Sequence, residues 1–280
     1  MIDDFIQKEI EYFSPMLERQ RLATDEMREA WRQETVAQRI ERISLETYEM
    51  CDGEVQYGPF RGLKLNKETW WGKPDLGSQC LGLYEAEILQ FLTDAGVDKY
   101  RTFIDIGAAD GYYAIGMLVS GLVDRVVCFE VSEAGREAIE QNWRANDCVG
   151  SLQVFGEANS KSLSEVAQKD LENALVLVDI EGYEFELLNL DVIKQLKHCD
   201  VLIEIHNWVE DFESKYSTLL KELSSYFNID VINRIERKTT DFEELRSYTD
   251  DNRLLLVSER RPCLMRFLHL TPLKHGSLDQ

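Results

Sequence analysis

From Arg101 onward, short apolar runs alternate with helical segments, and this alternation constrains the fold more than any other feature of the chain. "RTFIDIG", "RVVCFEV", "LQVFGEA", "ALVLVDI" and "DVLIEIH" each read as a strand. "GYYAIGMLVSG", "EAGREAIEQNWRAN", "SKSLSEVAQ", "YEFELLNLDVIKQL" and "EDFESKYSTLLKELSSYF" follow them in turn and read as helices. Strands that are apolar on both faces and separated by helices belong in a parallel sheet covered on both sides. "IDVINRI" and "RLLLVSE" are expected to close the series as strands with only a loop between them, so one of the two is antiparallel. The expected fold is α/β: a doubly wound, mostly parallel sheet with one antiparallel strand near the end.

Residues 1–75 read as a helical extension plus a short hairpin, and residues 76–280 as the sheet domain. In the extension Pro15 and the Thr24-Asp25-Glu26 start signal predict two helices, with Thr24 as the N-cap. "VQYGPFRGLKL" predicts a hairpin around Gly58 and Pro59. The extension serves as a buttress, a lid over a substrate, or the contact between two copies of a homodimer. Trp70 and Trp71 sit in a loop that either plugs a groove or lines one.

The chain is 44% hydrophobic, enough for a substantial core, and its formal net charge is −21. So acidic a surface repels phosphate backbones and anionic lipid, which predicts no nucleic acid and no membrane as partner. The six cysteines contain no CxxC pair, which predicts reduced thiols in place of a disulfide frame. The acidic start "MIDDFIQKEIEYF" has no uninterrupted apolar core and does not read as a signal peptide. No run approaches the ~20 apolar residues of a membrane span. These features together predict a cytoplasmic protein.

In doubly wound sheets the ligand lies at the carboxyl ends of the strands, beside the first turn. Here that turn is "GAADGY", residues 107–112. A dinucleotide turn needs GxGxxG, and the three glycine places hold Gly107, Ala109 and Tyr112. Asp110 would also set a negative charge near a pyrophosphate; two charges about 4 Å apart interact by about 4 kcal/mol at an effective dielectric of ~20. No Gly-Lys-Ser/Thr end is present, so a P-loop is excluded as well.

S-adenosylmethionine reverses the sign of the ligand: it carries a sulfonium and an ammonium and no phosphate. Asp105 and Asp110 suit its positive end, and Gly107 and Gly111 let the backbone approach. Glu130 ends the second strand, where a carboxylate can accept both ribose hydroxyls. Glu157 follows the third strand, in reach of the adenine amine. Ala108, Val131, Ala158, Asp179 and Tyr84 complete the expected cofactor contacts.

These stretches, with "VVCFEVSEAGREAIEQNWRAN", "LVLVDIEGYEFELL" and "VLIEIH", resemble the FkbM-type family of S-adenosylmethionine-dependent methyltransferases. The resemblance covers roughly residues 100–210 and falls on Asp105 and Gly107, Glu130, Asn142 and Asn146, Asp179 through Glu184, and Glu204 with His206. Ala109 or Asp110 stands where the family has Asn, and Val131 where it has proline. The resemblance implies a class I methyltransferase sheet and O-methylation of a hydroxyl on a small molecule or sugar, with S-adenosylhomocysteine as product.

An alcohol acceptor must lose a proton, so a base is needed. His206, after the fifth strand, is the first candidate, with Asp179 and Glu181 as its catalytic neighbours. A divalent metal held by Asp179, Glu181 and His206 is an alternative that the spacing alone does not favour. Asn207 and Trp208 are candidate acceptor contacts, whereas Asn142 and Asn146 read as bonded to backbone. Two other readings remain open: N-methylation of a cationic amine or protein side chain, and a scaffold that retains the fold without catalysis.

Overall fold

Every residue of β1 (Thr102–Ile106) and β4 (Ala174–Val178) is buried, so the middle of the sheet is covered on both faces. A computed structural model of the chain describes residues 2–96 and 99–273. The other strands are β2 (Arg125–Phe129), β3 (Ser151–Phe155), β5 (Asp200–Ile205), β6 (Phe227–Ile232) and β7 (Arg266–Pro272). They form one seven-stranded sheet in the order β3-β2-β1-β4-β5-β7-β6. β1 to β5 run parallel, and β7 lies antiparallel to both β5 and β6. This is the expected mostly parallel, doubly wound sheet with one antiparallel strand.

Alternate residues of each strand feed opposite cores. Ile104, Val127, Val176 and Ile203 join one apolar cluster, and Phe103, Val126, Leu175 and Leu202 join the other. Helices α1 (Ile2–Leu22), α2 (Asp25–Gln33), α3 (Val36–Met50), α4 (Leu76–Cys80) and α5 (Ala86–Ala95) precede the sheet. Helices α6 (Tyr112–Val119), α7 (Glu133–Ala145), α8 (Ser160–Ser164), α9 (Gln168–Leu171), α10 (Glu184–Leu187), α11 (Leu190–Leu196) and α12 (Phe212–Leu223) connect its strands. From β1 the chain steps outward to β2 and β3, then returns to the other side of β1 as β4. The strand order reverses between β1 and β4, which opens a crevice at their carboxyl ends.

Two expectations for individual elements are corrected. "RLLLVSE" is not a strand: α13 (Asp250–Leu256) occupies it, and β7 follows at 266–272. Thr249 caps this helix by accepting from the Asn252 backbone amide, and Asp250 and Asp251 occupy its first turn. Those start signals outweigh the apolar triplet, of which Leu256 is buried and Leu254 is exposed. The N-terminal stretch forms three helices instead of two. Pro15 lies inside α1, Thr24 caps α2 as expected, and Thr35 with Gln38 forms a capping box that starts α3.

The segment 53–65 closes on itself with one antiparallel bridge, Glu54 to Lys64. It presses the buried Phe60 ring onto Gly116 of α6, where a Cβ would meet the ring at 2.5 Å. α3 packs Ile43 against Leu81, Tyr248 and Leu256, so residues on both sides of position 75 share one core. The end of the expected second domain, 274–280, lies outside the described residues. No described helix is long and apolar enough to cross a membrane.

Candidate active site

The turn after β1 is built on the end of β4. Gly107 has φ +95°, and a Cβ there would run into the carbonyl oxygen of Asp179. The backbone amides of Gly107 and Ala108 both donate to the Phe129 carbonyl, at 2.9 and 3.2 Å. Ala109, also left-handed at φ 50°, donates its amide to Glu130 Oε2 at 2.9 Å. Glu130 Oε1 accepts from the Ser132 amide at 2.7 Å. An amide that would face a pyrophosphate in a dinucleotide turn is thus already bound to an internal carboxylate.

Asp110 has a structural partner of its own. Its carboxylate accepts from the Thr69 hydroxyl. Burial pushes this carboxyl up, and hydrogen bonding, from Thr69 above all, pulls it back. The contact ties the Trp70–Trp71 loop to the turn, so both indoles line the crevice instead of plugging it. Asn142 on α7 donates to the Asp110 carbonyl at 2.8 Å, and Asn146 bonds the Lys64 backbone.

The crevice is a cavity of about 400 Å³, within the usual range of a small-molecule site. Of the sequence-predicted cofactor residues, Tyr84, Asp105, Gly107, Ala108, Asp110, Glu130, Val131, Glu157, Ala158 and Asp179 line it; Gly111 instead caps α6 at φ 87°. Val131 and Glu157 stand at its exposed rim. Six carboxylates line it (Asp105, Asp110, Glu130, Glu157, Asp179 and Glu181), and among the described residues around it there is no Lys, Arg or His. Asp105 is 2% exposed. Burial first, then the charges of Asp179 and Glu130, push its carboxyl up to about 8. Tyr112, Phe129 and Tyr183 add aromatic walls that sequence reasoning missed. The only early sign of the first was its place in "GYY", at the mouth of the turn.

Beside this cavity, the ends of β4 and β5 gather a second group. His206 is 1% exposed, and its Nε2 lies 3.4 Å from Glu204 Oε2, 3.5 Å from Asp179 Oδ1 and 3.7 Å from Glu181 Oε2. On the other side of the ring, Nδ1 is 3.3 Å from Glu184 Oε1, which also accepts from the His206 amide at 2.9 Å. Burial pushes the imidazole down, but the carboxylates of Glu184 and Glu204 on its two sides and the charge of Asp179 prevail and raise it to about 10. Burial and the neighbouring Glu204 hold the Asp179 carboxyl well above its usual range.

Arg261, absent from the sequence-based expectations, contacts Glu204 at 2.5 Å, Glu259 at 2.8 Å and Glu85 at 3.2 Å. Burial, then the Asp179 charge, raises Glu85 to about 7. These groups border a second cavity of about 280 Å³, which shares Trp71, Tyr84, Asp179 and Glu181 with the first. Trp208 lines it, with its ring 4.7 Å from the His206 ring. Asn207 turns away and donates to the Leu264 carbonyl at 3.1 Å.

Neither a protein-family model nor a curated protein matches the sequence. Solved structures share the fold at low identity. Cofactor-bound Rv0187 from MTB is 13% identical over 73% of this chain and 92% of that one, with a TM-score of 0.47. An rRNA methylase from Streptococcus thermophilus is 11% identical over 66% and 93%, with a TM-score of 0.44. A ribosomal protein L11 methylase from Lactobacillus delbrueckii subsp. bulgaricus is 17% identical over 73% and 81%, with a TM-score of 0.41. Likenesses this distant carry nothing about activity in this chain. One expectation is nevertheless corrected: a net charge of −21 does not exclude nucleic acid as a partner, and one of the structures similar in fold is named an rRNA methylase. Whole-chain charge averages over a surface, whereas a partner meets only one part of it.

Proposed function

We propose that the protein is an S-adenosylmethionine-dependent methyltransferase of the FkbM type, and that it methylates a hydroxyl on a small molecule or sugar. One observation carries this reading: the cavity at the switch point is lined by six carboxylates and, among the described residues, by no basic side chain. That lining fits a cationic cofactor and opposes a phosphorylated one. Asp105 would hold the ammonium. Glu130, its two oxygens fixed by the Ala109 and Ser132 amides, would present its remaining lone pairs to the ribose. Phe129, Ala158 and Leu187 supply apolar wall for the adenine, with Glu157 at the rim. Bound there, the cofactor supplies an electrophilic methyl group and becomes a neutral thioether.

The chain's own residues orient the acceptor and take its proton. The second cavity opens beside Asp179 and Glu181, with Trp71, Tyr84 and Trp208 as aromatic walls for a sugar or ring. Its acceptor hydroxyl would face Asp179, Glu181 and His206; the imidazole already holds a proton at neutral pH, so the carboxylates of the cluster receive the one the hydroxyl loses. A second reading, methylation of a cationic amine, draws on Asp179 and Glu181 at the same cavity, whose other acids, Asp75, Glu85, Glu204 and Glu259, are paired with Arg260 or Arg261. Preference for amines over alcohols, with activity lost at raised salt, would select it.

The test is calorimetry with S-adenosylmethionine, S-adenosylhomocysteine and NAD, in chelator-treated buffer. The expected result is saturable binding of the first two and none of the third. Capture of the dinucleotide alone would refute the reading. Tight cofactor binding without turnover across alcohols and amines would favour a scaffold.

A further inference from the structure

We propose that Asp179, Glu181, Glu204 and His206 form a binding site for a divalent cation of the Mg²⁺/Mn²⁺ class, between the cofactor cavity and the second cavity. Asp179 Oδ1 and His206 Nε2 are both buried with no hydrogen-bond partner, and they face each other at 3.5 Å. Glu204 Oε2 at 3.4 Å and Glu181 Oε2 at 3.7 Å converge on the same nitrogen. Hydrogen bonds to nitrogen lie at about 2.7–3.2 Å, so these spacings are long for direct pairing. They suit donors arranged around an ion: with metal–ligand distances of about 2.1 Å, adjacent donors stand about 3.0–3.4 Å apart. Donor atoms from Asp179, Glu181 and His206 all lie within 4.8 Å of one another, and a second such triad joins Glu85, Asp179 and Glu204.

The surrounding groups are arranged as a metal site requires. Glu184 is fully buried and holds the opposite ring nitrogen of His206 at 3.3 Å, which aims Nε2 at the carboxylates. Arg261 holds the other oxygen of Glu204 at 2.5 Å and leaves Oε2 for the cation. Three carboxylates with one imidazole select a hard, oxygen-preferring ion, and the imidazole tilts the choice toward Mn²⁺. The site deepens the proposed transferase reading and depends on it for its role, though not for its existence. A cation there would bind the acceptor oxygen and make its hydroxyl more acidic.

The test is titration of the chelator-treated full chain with Mn²⁺ alone, followed by the loss of the free-ion electron paramagnetic resonance signal. The expected result is saturation at about one ion per chain, competed by Mg²⁺. Glu181→Gln, at a half-exposed position, should weaken binding at least about tenfold without moving the melting temperature. His206→Gln should weaken it also, and its melting curve establishes that it folds. No saturable binding up to millimolar Mn²⁺ would overturn the site, as would affinity unchanged in both variants. Cofactor calorimetry in chelator separates the two readings: cofactor binding without Mn²⁺ binding removes only the metal site, and the reverse removes only the transferase.

Discussion

Asp105 makes the proposed cofactor chemistry measurable through pH. Its carboxyl, pushed up to about 8 by burial and by its acidic neighbours, is mostly protonated at neutral pH in the free protein. A cationic cofactor must displace that proton. An ammonium about 4 Å away at an effective dielectric of ~20 contributes about 4 kcal/mol, or about three pH units, and brings the carboxyl to about 5 when bound. Binding therefore releases a proton, and affinity falls as pH drops below about 8. Between pH 7 and pH 5.5 the dissociation constant should rise about twentyfold. This window avoids the ligand's own α-amino group, which titrates near about 7.7–8.0, and stays above the pI of about 4.6. The assay is calorimetry in buffers of differing ionisation heat, which should show about one proton released at neutral pH. Asp105→Asn should bind weakly and lose the slope. The raised carboxyl also costs the free fold stability as pH rises from the unfolded value through about 8. Cofactor protection against melting should then grow over the same range. A flat wild-type profile, or a slope that survives in Asp105→Asn, would refute the placement of the ammonium.

Glu130→Ala should raise the dissociation constant at least about tenfold, from loss of charge-assisted bonds worth about 1.5–3 kcal/mol each, with little effect on turnover at saturation; unchanged affinity would refute the ribose assignment. His206→Ala should lower turnover by about 10²–10⁴ while cofactor affinity moves little, and an unaltered rate would remove His206 from the chemistry. At the opposite end of the sheet, burial pushes the Asp200 carboxyl up, but His269, Tyr100 and Lys99 outweigh it and hold it at about 2. A depressed carboxylate stabilises the fold above its unfolded value near 3.8 and loses that contribution as pH falls toward about 2. Asp200→Asn should therefore cost about 2 kcal/mol at neutral pH, read by denaturant unfolding, and the difference from wild type should vanish in strong acid.

The central strands were legible because burial on both faces leaves an unbroken apolar run, as in "ALVLVDI" and "RTFIDIG". At the outer edge "IDVINRI" marked β6, although that strand is buried only in part, but β7 was missed: Arg266, His269, Thr271 and Pro272 interrupt its apolar residues. Meanwhile "RLLLVSE" offered a denser apolar run than either, and three leucines in a row do not reveal whether one face or two will be covered. What decided its helix was polar: Thr249 and two aspartates at the start. The same holds at Thr35, whose capping box with Gln38 divides the N-terminal helices more sharply than Pro15, which α1 absorbs.

The site divides along a similar line. Residues at strand ends could be placed from sequence because the sheet fixes which edge they share; Asp105, Glu130, Asp179 and His206 all reach it from successive strands. Residues delivered by folding back could not. Thr69 reaches Asp110 across 41 positions, and Arg261 reaches Glu85 across 176. Those long-range partners change what the strand-end residues can do. Asp110 reads in sequence as a free carboxylate for a cation, yet in the fold it holds the tryptophan loop. His206 reads as an ordinary imidazole near neutrality, yet four carboxylates surround it and raise it to about 10. A histidine so placed keeps its proton at neutral pH unless another cation takes the proton's place, and the acceptor must meet whichever of the two the carboxylates hold.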